Sequence, residues 1–517
     1  MCKKYVVLLL FLLKLSCTDG ARILSICAYP SYSHQLIHNI LTKQLSLRGH
    51  QVVQFTVHPL KDNRLVNLTE IDISFLYNYV VNNDYENSYR YPRLLILHLQ
   101  EMGIRAVTED VLKLPQMQDI LNNKDEKFDL VLVEMGASTI FSLLGNRLKC
   151  PVVGVRSVAL KLHNHDVIGN PTNPAYISIG HYENIKNRFW KKVDNFIFGF
   201  LYRIYFYLHT VPATNELAKK YFPNSSQTVL EAEKNLSLIL LNTDPILNGV
   251  RPLVPAVVEI GGIHLDQVSK NYSEELKQFL DESMNGIIFV SLGTTTNGTR
   301  INKRFIDVLN YTFRNLPYNI VWKWNGPSDN LSKNVRILKW APQVAVLEHH
   351  NIKLFITHGG YLSFEETVYS GVPVIAVPLF ADQYVNARRM EKLGIGLMVD
   401  YVTVTEKEFL TKVLHVIKNT KYKESVIKIS KVIKERPIKP LDKALWWIEY
   451  VLRHRGAPYF RSEAIDLNWI QYLALDILLF LLICFIMAIM LLKFVFRFFM
   501  YFFIKKQRNR NKHEKVN

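Results

Sequence analysis

Disulfide chemistry has little to work with in this chain. Of five cysteines, Cys2 and Cys17 fall in an apolar leader and Cys484 in a long apolar run near the other end. Only Cys27 and Cys150 remain for the body between them. Two thiols make no disulfide framework, so the fold has to rest on hydrophobic cores. No short-period repeat is present, which excludes solenoids and propellers. Acids are nearly missing from the far end: from Lys493 onward, eight basic residues face one acid, Glu514. That tail carries a large share of the formal net charge of +18, so the basic balance marks a membrane-side tail and does not imply nucleic acid as a partner.

What is there is apolar and long. A chain of 517 residues with 49% hydrophobic side chains can fill two cores. Residues 1–20 place Lys3 and Lys4 before an apolar run from Tyr5 to Leu13, the layout of a secretory signal peptide and too short to cross a bilayer. The uninterrupted run from Ile477 to Leu492, extended by its apolar flanks, reaches the roughly 20 residues a bilayer requires. It predicts one transmembrane helix over 470–493 and a basic cytosolic tail over 505–517. By the positive-inside rule the body is lumenal, a single-pass type I arrangement. Seven Asn-x-Ser/Thr sequons, at Asn67, Asn224, Asn235, Asn271, Asn297, Asn310 and Asn330, suit the secretory pathway.

Short β-rich runs alternate with helix-length segments twice. The first half has "RILSICAY", "HQVVQFTV", "FDLVLVE" and "PVVGVRS"; the second has "GIIFVSLG", "NIVWKW", "NVRILKW", "IKLFITHGG" and "PVIAVPLF". This alternation predicts an α/β fold of two Rossmann-like, doubly wound domains facing a cleft, over 21–250 and 251–465. Ligands in such sheets bind beyond the carboxyl ends of the strands. The aromatic and basic segment from about Tyr182 to Tyr221 reads as an amphipathic helical insertion, facing either a core or a membrane or acceptor.

One stretch concentrates the chemistry: "FITHGGYLSFEETVYSGVPVIAVPLFADQ", Phe355 to Gln383. A strand turns at Gly359-Gly360 into a helix, which lets backbone approach a ligand and aims free N–H groups at an anion such as a phosphate. Glu366 lies a little over two helical turns beyond His358, so a diphosphate at the helix start could carry a ribose diol to this carboxylate. Its neighbour Glu365 reads as a surface glutamate. Upstream, Trp340 in "KWAPQ" offers a flat face for a base, although taken alone it reads rather as a packed core aromatic. "FVSLGTTTNGT" has the composition of a phosphate loop.

In this order the motifs resemble the UDP-glycosyltransferase family, and the membrane-anchored, insect-type members in particular. The resemblance implies a GT-B glycosyltransferase fold and a hexosyltransferase whose co-substrate is a UDP-sugar, with no permanently bound cofactor. It implies that Trp340 stacks on uracil with Gln343 beside it. Ser291, Thr294, His358, Gly359 and Gly360 would hold the diphosphate, Glu366 the ribose hydroxyls, and Asp382 with Gln383 those of the transferred sugar. Leu362 and Val344 stand where vertebrate members commonly carry Asn, and Ser363 is the candidate replacement. The family's catalytic base matches His34, after the first strand, with His38 as competitor. Its orienting carboxylate matches Glu134, where many vertebrate members have Asp; Asp129 reads as a strand-end cap.

The resemblance therefore implies single-displacement, inverting transfer of a hexose to a hydroxyl of a small lipophilic acceptor, as in detoxification. Glucose is favoured, and UDP-glucuronate is the other donor considered. No Asp-x-Asp motif is present to bridge a divalent metal, so metal-independent transfer is expected. The endoplasmic reticulum membrane is the expected location, with the plasma membrane second, and a homo-oligomer is left open. The alternatives are a transferase directed at sphingolipids or other lipids, and a non-catalytic binding protein of the same fold.

Overall fold

The computed structural model describes residues 20–81, 92–177, 188–267, 271–293, 301–326 and 331–513. The expected signal peptide, apart from its last residue, lies outside them, as do Thr294, the sequons Asn297 and Asn330, and the end of the basic tail.

The chain forms two compact units, Met1–Arg461 and Ser462–Asn517. The first holds two parallel sheets. One has seven strands: β1 (Arg22–Ile26), β2 (Gln51–Thr56), β3 (Leu68–Asp72), β4 (Leu130–Glu134), β5 (Val152–Arg156), β6 (Leu238–Leu241) and β7 (Val257–Glu259). They lie in the order β3-β2-β1-β4-β5-β6-β7. The other has six: β8 (Ile287–Ser291), β9 (Asn319–Lys323), β10 (Val335–Leu338), β11 (Ile352–Thr357), β12 (Val374–Ala376) and β13 (Gly396–Met398), ordered β10-β9-β8-β11-β12-β13. The central strands are apolar on both faces because helices cover both; β4, "LVLVE", and β8, "IIFVS", are buried throughout, as parallel sheets require. In each sheet the order reverses beside the first strand, at β1/β4 and at β8/β11, the switch points where such sheets leave a crevice.

Seven helices matter below: α1 (Tyr32–Leu47), α2 (Arg93–Lys113), α3 (Phe189–Tyr205), α4 (Tyr361–Ser370), α5 (Gln383–Lys392), α6 (Pro440–His454) and α7 (Leu475–His513). Two features cut across the boundary expected at 250/251. β7 adds to the first sheet after that point. Further on, α6 returns to the first half, where Ala444, Leu445, Ile448 and Val451 join its core and Glu449 pairs at 2.8 Å with Arg48, which caps α1.

The second unit contains α7, whose stretch Leu475–Asn509 includes an 18-residue window of mean hydropathy 3.0 and is long and apolar enough to cross a membrane. It starts five residues later than the expected 470, after a break at Ala474 (φ 53°), and continues as helix into the basic tail. Cys27 and Cys150 are free thiols.

Candidate active site

At the first switch point, β1 runs out into the loop that starts α1 and delivers His34, while β4 ends on Glu134. Pairing of β1 with β4 brings His34 Nδ1 to 3.3 Å from Glu134 Oε1. The Tyr29 ring stacks on the imidazole at 4.1 Å. The carboxylate is fixed from several sides. Gly136 N donates to Oε1 at 2.8 Å, Ser157 Oγ donates to Oε2 at 2.7 Å, and Arg156 Nη1 stands 3.8 Å from Oε1. Burial alone would push the Glu134 carboxyl up, but His34 and His38 outweigh it and hold the group well below the usual carboxylate range. An ionised carboxylate behind Nδ1 sets the tautomer that leaves Nε2 as proton acceptor.

His38 is fully buried. Its Nδ1 meets Ser25 Oγ at 3.1 Å and its Nε2 lies 3.6 Å from Glu134 Oε2. It supports the carboxylate from behind and does not line the cleft, whereas His34 does. Cys27, His38 and Glu134 place ligand-type atoms within 4.8 Å of one another, the one such group among the described residues. The set fits a metal poorly, because burial, with Glu134 beside it, keeps the Cys27 thiol protonated and both Glu134 oxygens already accept hydrogen bonds. Asp129 caps the amino-terminal end of β1, accepting from Arg22 N at 2.8 Å.

The second switch point collects the donor-type residues. Ser291 ends β8 opposite Thr357, which ends β11. His358 follows and packs under two glycines. A Cβ on Gly360 would lie 2.5 Å from its Nε2, and one on Gly293 3.0 Å. Gly359 has φ +78°, a left-handed conformation that favours glycine. The turn leads directly into α4, whose first N–H groups face the crevice end of the sheet. Burial and the nearby Lys323 ammonium push His358 down to about 4, so near neutral pH it offers a neutral imidazole and the positive charge comes from Lys323.

Lys323 ends β9 and sits 4.3 Å over the Trp340 ring, a cation–π contact. Trp340 is 52% exposed and meets the Tyr32 ring edge-on at 5.3 Å, so the core-aromatic reading of this residue is set aside. Gln343 donates through Nε2 to Ser363 Oγ at 2.9 Å and to Glu366 Oε2; it faces the carboxylate expected to take a ribose. Gln383 Oε1 accepts from the N–H groups of Leu379 and Phe380 at 2.8 and 3.0 Å, fixing the turn before α5 and leaving its amide N–H groups as the donors it can offer a sugar. Asn386 holds Asp382 at 2.8 Å and Gly359 O at 3.0 Å. Glu365 is buried at 2% exposure, which corrects its reading as a surface residue: α4 is packed between the halves and has no solvent face at that position.

Both sets open onto one cleft of about 1190 Å³. His34, Ser291, Trp340, Gln343, His358, Gly360, Ser363, Glu366, Asp382 and Gln383 all line it. Glu134 and Gly359 sit behind that wall. Leu97 and Ile104 of α2 with Phe198 and Tyr202 of α3 give the cleft an apolar wall. The other face of α3 exposes Trp190, Phe196 and Phe200, so within the described part of the insertion one face lines the cleft and the other is exposed. Sequence reasoning missed Lys323, Tyr32, Gly136, Ser157 and Asn386. A polar residue at the carboxyl end of a strand was the available signal for Lys323; nothing local marks the others. Among the sequons, Asn224, Asn235 and Asn271 are exposed, while Asn67 and Asn310 are half-buried.

Residues 21–510 match the family model described as "UDP-glucoronosyl and UDP-glucosyl transferase". The chain belongs to this family. It is similar to "UDP-glucosyltransferase 2" of Dactylopius coccus, 32% identical over 506 residues, covering 95% of this chain and 96% of that protein. It is also similar to the human "2-hydroxyacylsphingosine 1-beta-galactosyltransferase", 31% identical over 400 residues, with 76% and 72% covered. Among solved structures, the glycosyltransferase of kitacinnamycin superposes with a TM-score of 0.54 at 16% identity, covering 84% of this chain and 99% of that one; this likeness speaks to the fold alone. The protein is thus a UDP-glycosyltransferase, a hexosyltransferase of GT-B fold that uses a UDP-sugar as donor.

Proposed function

We propose that this UDP-glycosyltransferase moves glucose from UDP-glucose to a hydroxyl of a small lipophilic acceptor, inverting the anomeric carbon in a single displacement. The observation carrying this reading is the contact of His34 with Glu134 on the wall of the same cleft that the donor-type residues line. The acceptor O–H gives its proton to His34 Nε2 while its oxygen attacks the anomeric carbon. The bond to UDP breaks on the opposite face, and its electron pair leaves on the β-phosphate oxygen. Lys323, the first N–H groups of α4 and a hydrogen bond from neutral His358 take up that charge. Glu366 holds the ribose diol, Trp340 the uracil, and Asp382 with Gln383 the hexose.

In this reading residues 21–250 mainly receive the acceptor and 251–465 the donor. A leader over 1–20 and a span near 470–493 make the protein a single-pass glycoprotein of the endoplasmic reticulum membrane with its body in the lumen. Membranes expressing the chain, incubated with labelled UDP-glucose or UDP-glucuronate and a panel of lipophilic phenols, should transfer glucose. Transfer of glucuronate alone, or retention of anomeric configuration, would overturn the donor and mechanism respectively. The likeness to the sphingosine-lipid galactosyltransferase supports a second reading, a lipid acceptor, so ceramides and UDP-galactose belong in the same panel.

A further inference from the structure

A buried histidine that the mechanism does not use stands behind the donor site. His264, from the loop after β7, has no solvent exposure and lies between the two adjacent glutamates of α4. Its Nε2 is 3.4 Å from Glu366 Oε1 and its Nδ1 is 3.7 Å from Glu365 Oε2. Two consecutive carboxylates on a helix normally diverge by about 100°; here the imidazole reaches both. Glu366 thereby has a partner at each oxygen, the His264 ring at ion-pair distance from Oε1 and the Gln343 amide donating to Oε2. A carboxylate that must receive two ribose hydroxyls in fixed positions needs such support, because an unrestrained Glu side chain loses rotamer entropy on binding.

The electrostatics agree. Burial would lower His264, but Glu366 and Glu365 raise it above the usual range, so the ring carries charge at ion-pair distance from both acids. Glu365 is in turn faced by Tyr361, Asp244 and Arg436 as well as His264, and Lys323 and Tyr32 face Glu366 from the cleft side. The polar chain does not stop there. Asn242 Nδ2 lies 3.5 Å from Glu365 Oε2 and donates to Ser157 O at 3.2 Å, and the Ser157 hydroxyl is the one that donates to Glu134. Such a network is costly to bury, and its two ends are the carboxylates proposed to serve donor and base.

We propose that His264, backed by Glu365, is a positioning residue of the donor site: it clamps Glu366 in the geometry that recognises the ribose diol. This rests on the assignment of Glu366 to the ribose, and the test separates the two. Binding of UDP and of 2′,3′-dideoxy-UDP is measured calorimetrically on the full chain in detergent, for the wild type and for His264→Leu, His264→Gln and Glu365→Gln.

The wild type should prefer UDP by roughly tenfold or more, as two hydrogen bonds to a charged group imply. In His264→Leu the preference should fall toward unity while affinity for the dideoxy ligand holds within about twofold. His264→Gln, which keeps one donor, should restore part of it, and Glu365→Gln, the variant to use if the leucine form does not fold, should weaken it. Equal loss for both ligands would reduce His264 to a packing residue and overturn the proposal, as would an unchanged preference. A wild type that does not distinguish the ligands would overturn the ribose assignment itself, and the proposal with it.

Discussion

A single methylene separates Glu134, the acid proposed to orient His34, from an aspartate, and the structure shows what the longer arm reaches. Glu134 accepts from Gly136 N and Ser157 Oγ while facing His34, so Glu134→Asp should pull the carboxylate back from at least one partner and lower kcat roughly tenfold. Glu134→Gln, which removes the charge that stabilises the imidazolium, should lower it by about 10²–10³, and His34→Ala by about 10²–10⁴, the usual worth of a general base. Donor KM should stay within a few-fold in all three, since none of them belongs to the donor set. Unchanged product formation with His34→Ala for every acceptor would remove the base assignment. A different failure is expected from Gly360→Ala: the new methyl would lie 2.5 Å from His358 Nε2, so the ring must move and donor KM should rise more than tenfold. The candidates His34 and Glu134 and the His-Gly-Gly turn could be singled out in the sequence because Glu134 and the turn sit where strands end and His34 follows the first strand at the start of α1. Glu365 was misread for the converse reason, since sequence alone does not say which helical face meets the other half.

Among the elements, nine of the described strands coincide with the apolar runs read from the sequence, and four escaped for local reasons. β3 is "LTEID", half-buried with polar residues; β7 and β13 have three residues each; and β6, "LILL", abuts the Pro- and Gly-punctuated segment taken as a join. Edge strands and short strands carry little periodicity, and only pairing with a neighbour defines them. One short helix also stores a titration. Glu233, near the end of Val229–Lys234, is buried at 2% exposure, and burial, with Glu101 across from it, pushes its carboxyl up to about 8. An acid raised in the folded state binds its proton there while the unfolded chain has already lost it, so stability falls as pH rises from the ordinary carboxylate range to about 8. Glu233→Gln, permanently neutral, should therefore raise the unfolding temperature by several degrees at pH 8 and by little at pH 5. A scanning fluorimetry series over that interval decides it; an equal shift at both pH values would show that Glu233 stays ionised in the folded protein.

For the whole molecule, the decisive feature is that its order in sequence is not its order in space. The chain builds the first half, then the second, and then sends α6 back to finish the first. Ala444, Leu445, Ile448 and Val451 of α6 are 0–1% exposed within the first half's core. Fully burying a large aliphatic side chain contributes about 1.5–3 kcal/mol, so the three large ones together supply on the order of 5–9 kcal/mol. A folded domain keeps only about 5–15 kcal/mol in total, and removing this helix should therefore uncover enough apolar surface to unfold the half that carries His34, although the missing residues are more than three hundred positions away. The compact unit closes at Arg461, beyond α6 and before α7. A chain ending at Arg461 should fold, unfold cooperatively on heating and bind UDP with near wild-type affinity; one ending at Lys439 should aggregate or melt without a transition. If the shorter chain retained a cooperative transition and transferase activity, α6 would be a peripheral brace, and the first half would be a self-sufficient domain after all.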